Sequence, residues 1–194
     1  MVRHWLPPGD AERYSVKPQA ARTMSGDSVD LNQELLTKNA CLYSNERRKL
    51  SPSLLRSIDG VSEVSSDGGF FRRPTYLQMQ VGGKRLQLNV NWDRDKIKDH
   101  AAGMHGWVNR IHEISPLMNV EVFHAFIDQI NQVYGVVVDS EFNFQSPIWK
   151  TLLKIAEPIE GVIFVHDSFV DCDGRILFGY LADLADELNS DGDE

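Results

Sequence analysis

Leu77-Gln78-Met79-Gln80-Val81-Gly82-Gly83-Lys84-Arg85-Leu86-Gln87-Leu88-Asn89-Val90 alternates apolar with polar side chains on both sides of a Gly-Gly pair. Successive side chains of a strand point to opposite faces, so Leu77, Met79, Val81, Leu86, Leu88 and Val90 share one side of a two-stranded ribbon. Gln78, Gln80, Arg85, Gln87 and Asn89 share the other. Gly82-Gly83 supplies the positive φ values that a two-residue hairpin turn requires. One apolar and one polar face make a half-buried antiparallel sheet.

The segments around the hairpin read as helices and further strands. Helices are expected at Leu31–Ala40 and at Pro52–Ile58, the second capped by Ser51 with Pro52 in its first turn. Ser65-Ser66-Asp67-Gly68-Gly69 reads as a turn. A helix over Asp95–His112 carries Ile97, Ala101, Met104, Val108 and Ile111 as one apolar stripe. A second, capped by Asn119, has the stripe Val120, Phe123, Ile127, Ile130 and Tyr134 and stops at Gly135. Val136–Val138 is a short strand. Ser146 and Pro147 open a helix with Ile148, Leu152 and Ile155 inward, ended by Pro158. Strands follow at Val162–Val165 and Arg175–Phe178, joined by a turn over Asp171-Cys172-Asp173-Gly174, and a last helix is expected over Tyr180–Leu188. Strands and helices alternate without a βαβ beat. The class is α+β: a single domain at 31–188 with a small, mainly antiparallel sheet packed against several helices. Residues 1–30, poor in aliphatics, read as an arm, and residues 189–194 as an acidic tail.

Charge is unevenly divided along the 194 residues. Residues 1–100 hold sixteen Lys/Arg and twelve Asp/Glu, whereas residues 101–194 hold four and sixteen, a net of −12. Phosphates would be repelled by that second half. No apolar run approaches the ~20 residues that span a bilayer. The start of the chain has no apolar stretch of the secretory kind. Cys41 and Cys172 form no CxxC pair and fit two reduced thiols, so the expected compartment is the cytoplasm.

Motifs that carry chemistry are missing from the reading. At ~100° per residue, His100 falls about 140° from His105 on the helix, so the histidines there do not converge on one ion. Asp171-Cys172-Asp173-Gly174 lacks the calcium-loop register, which would put Phe169 and Tyr180 at the end ligand positions. His124 and Asp128, spaced i, i+4, form a helix-surface pair. Arg47-Arg48-Lys49 and Arg72-Arg73 are the basic clusters, the second beside Phe70 and Phe71. Without a recognition motif they read as solvated loops, with internal ion pairs to the acidic half. Trp92, Trp107 and Trp149 read as core or groove lining, and Trp5 in the arm as a partner anchor.

Further features are an alternating strand, the helix segment Asp99-His100-Ala101-Ala102-Gly103-Met104 and the Tyr134-Gly135-Val136 joint. Glu160-Gly161-Val162-Ile163-Phe164 follows, with Asp173-Gly174 after it. In these the stretch Leu86–Phe178, about half the chain, resembles small acidic bacterial immunity proteins encoded beside polymorphic or type VI-delivered toxins. The resemblance implies a protein that buries a toxin's active site or groove and performs no chemistry; it carries over no functional residue.

The expected function is therefore a non-enzymatic inhibitor docking on a basic toxin domain through Glu113, Glu121, Asp128, Asp139, Glu141, Glu157, Glu160 and Asp167. No catalytic residue, cofactor or metal is assigned, and neither nucleic acid nor membrane is an expected partner. The alternatives are a small hydrolase-like enzyme using His and carboxylate acid–base chemistry, or a regulatory or structural subunit. An enzyme would show a pocket where a His and a carboxylate converge; a binding protein would show an exposed patch.

Overall fold

Gly82 and Gly83, at φ 56° and 76°, turn the chain at the Gly-Gly pair. The structure, a computed structural model, describes residues 35–69, 72–114 and 119–181, with backbone alone in 112–114. The described residues form a single α+β domain of eight strands and four helices. The strands are β1 (Thr37–Ser44), β2 (Val61–Ser66), β3 (Tyr76–Val81), β4 (Lys84–Asn91), β5 (Gln132–Phe142), β6 (Val162–Val165), β7 (Ser168–Val170) and β8 (Ile176–Gly179). The helices are α1 (Pro52–Arg56), α2 (Arg94–Ile114), α3 (Val120–Gln129) and α4 (Pro147–Ala156). One sheet of order β2-β3-β4-β5-β1-β6-β7-β8 contains all the strands, and each neighbouring pair is antiparallel.

Leu77, Met79, Val81, Leu86 and Leu88 are buried on the same side of the sheet, with Leu77 opposite Leu88 and Met79 opposite Leu86. They join Ala40, Leu42, Val136, Val138 and Ile163 beneath α1 and α4, which contribute Leu55, Ile148, Leu152 and Ile155. Each fully buried aliphatic side chain stabilises this layer by about 1.5–3 kcal/mol. On the other side α2 and α3 press Ile97, Met104, Val108, Phe123 and Ile127 onto Cys41, Tyr43, Val162, Phe169 and Phe178. That second cluster contains no residue of β2, β3 or β4. The α2 stripe thus packs against α3 and the β1, β6–β8 half of the sheet.

The side-chain caps match the sequence. Ser51, Asn119 and Ser146 accept from the backbone N–H of Leu54, Val122 and Trp149, each at 3.2 Å, satisfying donors that a helix start leaves open.

Four expectations need correction. Thr37–Ser44, overlapping the helix expected at Leu31–Ala40, is an inner strand of the sheet. Its alternation sends Ala40 and Leu42 to one core and Cys41 and Tyr43 to the other, so burial on both faces overrides local helical preference. The helix at 120 ends at Gln129, where Ile130 turns to ψ 125°. Tyr134 and Gly135 instead lie inside β5, which runs through eleven residues. β2 overlaps the start of the turn expected at Ser65–Gly69. β7 intervenes between the two strands that the Asp171–Gly174 turn was expected to join, so this turn links β7 to β8. β6 reaches β7 through His166 and Asp167, at φ 47° and 53°, a left-handed pair of the kind a two-residue hairpin uses. His-Asp is not a pair that signals such a turn. The helix expected over Tyr180–Leu188 and the tail at 189–194 lie, beyond Leu181, outside the described residues, as do the arm and Trp5.

Candidate functional site

The alternation that buries one side of β3 and β4 turns Tyr76, Gln78 and Gln80, with Arg85, Gln87 and Asn89, to the other side. Register places Gln78 beside Gln87 and Gln87 beside Val137 on β5. Tyr76 lines up with Asn89, and Gln80 with Arg85. Among the described residues, no helix packs on this half of the sheet. The amide side chains are half-buried, and Gln87 Nε2 donates to Asn89 Oδ1 at 2.6 Å. Val137, 37% exposed, is an apolar side chain in their midst. At one margin Asp139 Oδ2 accepts from the Arg85 backbone N–H at 3.1 Å, and Lys84 Nζ donates to the Glu141 carbonyl at 3.4 Å. Four strands at ~4.8 Å and six residues at ~3.4 Å make this bare face about 400 Å² in plan.

At the end of the sheet where β3 begins and β4 ends, the two basic clusters meet. Lys49 Nζ lies 4.5 Å and the Arg73 guanidinium 5.4 Å from the centroid of the Trp92 ring, and Trp92 Nε1 donates to the Pro74 carbonyl. Gly68 lets the chain fold back here: a Cβ on it would stand 3.0 Å from Pro74 N and 3.1 Å from the Arg72 carbonyl oxygen. Arg72 closes the turn by bonding Gly69 in both directions, at 3.0 and 3.3 Å. Gln132 Nε2 donates to the carbonyls of Glu46 and Arg48, fixing the other loop. The ion pairs expected between these clusters and the acidic half are not formed among the described residues. The aromatic ring takes that place. Asp67, beside them in sequence, uses its carboxylate on the Thr75 hydroxyl and the Thr75 and Tyr76 N–H groups, bonds that hold it below the usual carboxylate range.

On the outer surface of α2 and α3, His105 Nδ1 and His124 Nδ1 are 2.5 Å apart, with the rings stacked at a centroid distance of 4.7 Å. His105 Nε2 bonds Asp128 and His124 Nε2 bonds Asn109, both at 2.9 Å. Asp128 is therefore the partner of His105 across the helix pair, which corrects the expected His124–Asp128 contact. Donor and acceptor roles along this chain of bonds follow the tautomers of the two rings. None of these bonds reaches a Ser, Thr or Cys, so the pair has no bonded nucleophile. His100 lies apart, buried edge to face against Tyr43.

The eight acidic residues expected at a partner surface are scattered. Asp139 and Glu141 lie on the bare side of β5, exposed. Glu121 and Asp128 are exposed on α3. Glu157 and Glu160 flank the turn before β6, and Asp167 sits in the turn after it, at the opposite end of that strand. Glu113 is in α2, its side chain outside the described residues. Of the net −12 of residues 101–194, half belongs to residues 182–194, beyond the described body. The bare face itself was legible in the Gln and Asn alternation of β3 and β4; Val137, within an apolar run, gave no signal of exposure.

Burial pushes the Cys41 thiol up to about 11 and the Tyr134 hydroxyl up to about 12, leaving neither a nucleophile or base near neutrality. Asp171 holds Arg175 across the β7–β8 turn at 2.8 Å. A pocket lined by Tyr43, Met104, Trp107, Phe164 and Phe169 is apolar. Among the described residues no three His, Cys, Asp or Glu side chains group as metal ligands, and no helix is long and apolar enough to cross a membrane. No protein-family model, curated protein or solved structure matches the chain.

Proposed function

We propose that this chain is a non-enzymatic binding protein of the immunity kind, which neutralises a cognate toxin by laying the bare half of its sheet against it. The observation that carries this reading is Val137, exposed amid Gln78, Gln87 and Asn89 on the half of the sheet that α2 and α3 leave open. An apolar centre within a polar, hydrogen-bonding rim is the anatomy of a protein interface. One side of a standard interface buries ~800 Å², so loops at the rim complete the contact. Arg85 and Lys84 against Asp139 and Glu141 fix its register by charge of both signs. The formal net charge of −8 favours the approach of a basic partner, and the scattered acidic residues act through that long-range field rather than as one contact patch. The enzyme alternative is less favoured, because the His105–His124 pair is bonded to Asp128 and Asn109 rather than to a nucleophile.

The test is co-expression with the product of the neighbouring reading frame, expected on this proposal to be a toxin. Val137→Arg should abolish protection and raise the dissociation rate at least ~10-fold, in the range of an interface centre. Val122→Arg, at a 61% exposed position on α3, should protect like wild type. Equal protection by both variants would remove the sheet from the interface.

A further inference from the structure

The loops that follow β1 and precede β3 bring Arg47, Arg48, Lys49, Arg72 and Arg73 to the Trp92 end of the sheet. The side chains of all five are exposed. Two of them lie over one indole ring, whose π-face offsets part of their charge and holds their long side chains in place. Among the described residues no carboxylate forms an ion pair with any of the five. Asp67 is bonded to Thr75 and Tyr76, and Asp93 accepts the Asp95 N–H at 3.0 Å. Glu46, the other acid of these loops, is half-buried. Crowding five cations of one sign raises the local concentration of anions and favours a ligand that bridges them.

We propose that this end of the sheet binds the phosphate backbone of a single-stranded nucleic acid through Arg47, Arg48, Lys49, Arg72 and Arg73. Four of the five are arginines, whose planar forks match phosphate oxygens in pairs. Phosphate outranks an acidic peptide here because Tyr76 opens β3 next to the cluster, on the bare face, with Asn89 opposite it and Gln78 and Gln87 beyond. An aromatic ring and a row of amides are the groups that stack on unpaired bases and bond their edges. The whole-chain charge opposes binding only weakly, since it is screened over ~8 Å at physiological salt. Its cations lie at the sheet end, outside the Val137 patch, whereas Gln78, Gln87 and Asn89 are shared with the proposed toxin surface.

A fluorescein-labelled oligothymidine of about twelve nucleotides tests it by anisotropy with the full chain. Binding on the order of 10 μM is expected at low salt, with log K falling against log salt at a slope of about −2, as for some three neutralised phosphates. Arg47→Glu/Arg48→Glu, at exposed side chains, should weaken binding at least ~10-fold with an unchanged melting temperature. Glu157→Lys/Glu160→Lys, at the same end of the sheet on the β6 side, should strengthen it. No binding at low salt, equal binding by the Arg47→Glu/Arg48→Glu protein, or tighter binding of a poly-glutamate peptide than of the oligonucleotide would each overturn the proposal.

Discussion

Gln87 and Val137 stand opposite each other on neighbouring antiparallel strands, on the side of the sheet that the helices leave bare. One residue along each strand, Leu88 and Val136 form the next pair, on the covered side, and both are buried. A single step therefore separates an open face from a core.

That step has a measurable consequence. Leu88→Ala should destabilise by ~2–5 kcal/mol through lost transfer energy and the cavity left behind. Val137→Thr, on the open side, should change stability by less than about 0.5 kcal/mol. Urea midpoints of the two variants check this, and equal losses would mean that Val137 is covered.

Gly179 should be irreplaceable. Its φ is +118°, and a Cβ would overlap the Asp167 carbonyl oxygen and stand 2.7 Å from Ser168 Cα. The β6–β7 turn and the end of β8 meet here, where Leu181 N–H donates to Ser168 Oγ at 2.8 Å. Gly179→Ala should cost more than ~1–3 kcal/mol, because backbone strain and overlap add. A melting temperature within a degree or so of wild type would contradict this geometry.

Acid should weaken the fold well above the carboxylate range. Burial holds His166 below its ordinary value, partly offset by its bond to the Leu35 backbone and by Asp167; burial does the same to His100, partly offset by Asp99. The folded chain then binds fewer protons than the unfolded chain just below the ordinary imidazole pKa, so stability rises with pH there. It is fully present above pH ~6.5 and is lost as pH falls through the lowered folded values. Urea midpoints measured from about pH 7.5 to 5 should fall, and His166→Gln should flatten the slope. An unchanged slope in that variant would show that His166 is solvated.

The sequence made the hairpin, three caps and most of three helix stripes legible because each rests on local chemistry: a Gly-Gly turn, a hydroxyl or amide before a helix, apolar side chains at helical spacing. β1 was not, because Thr37–Ser44 becomes a strand only through burial between β5 and β6. Tyr134 fits a helical stripe by spacing, and only its pairing in β5 excludes it. His166-Asp167 turns the chain at positive φ without a glycine, so β7 was hidden behind it. At the candidate site the Gln and Asn face could be read, but its openness depends on where α2 and α3 come to rest. Trp92 joins two basic clusters that have no contact in sequence.

Chemical-shift mapping by NMR, with the proposed toxin partner added to labelled protein, distinguishes the open sheet face from α3 as the interface. Shifts are expected at the Val137 methyls and the side-chain amides of Gln78, Gln87 and Asn89, with the exposed Val122 methyls on α3 unmoved. Shifts at Val122 and along α3, with Val137 and the amides unchanged, would contradict this placement of the interface.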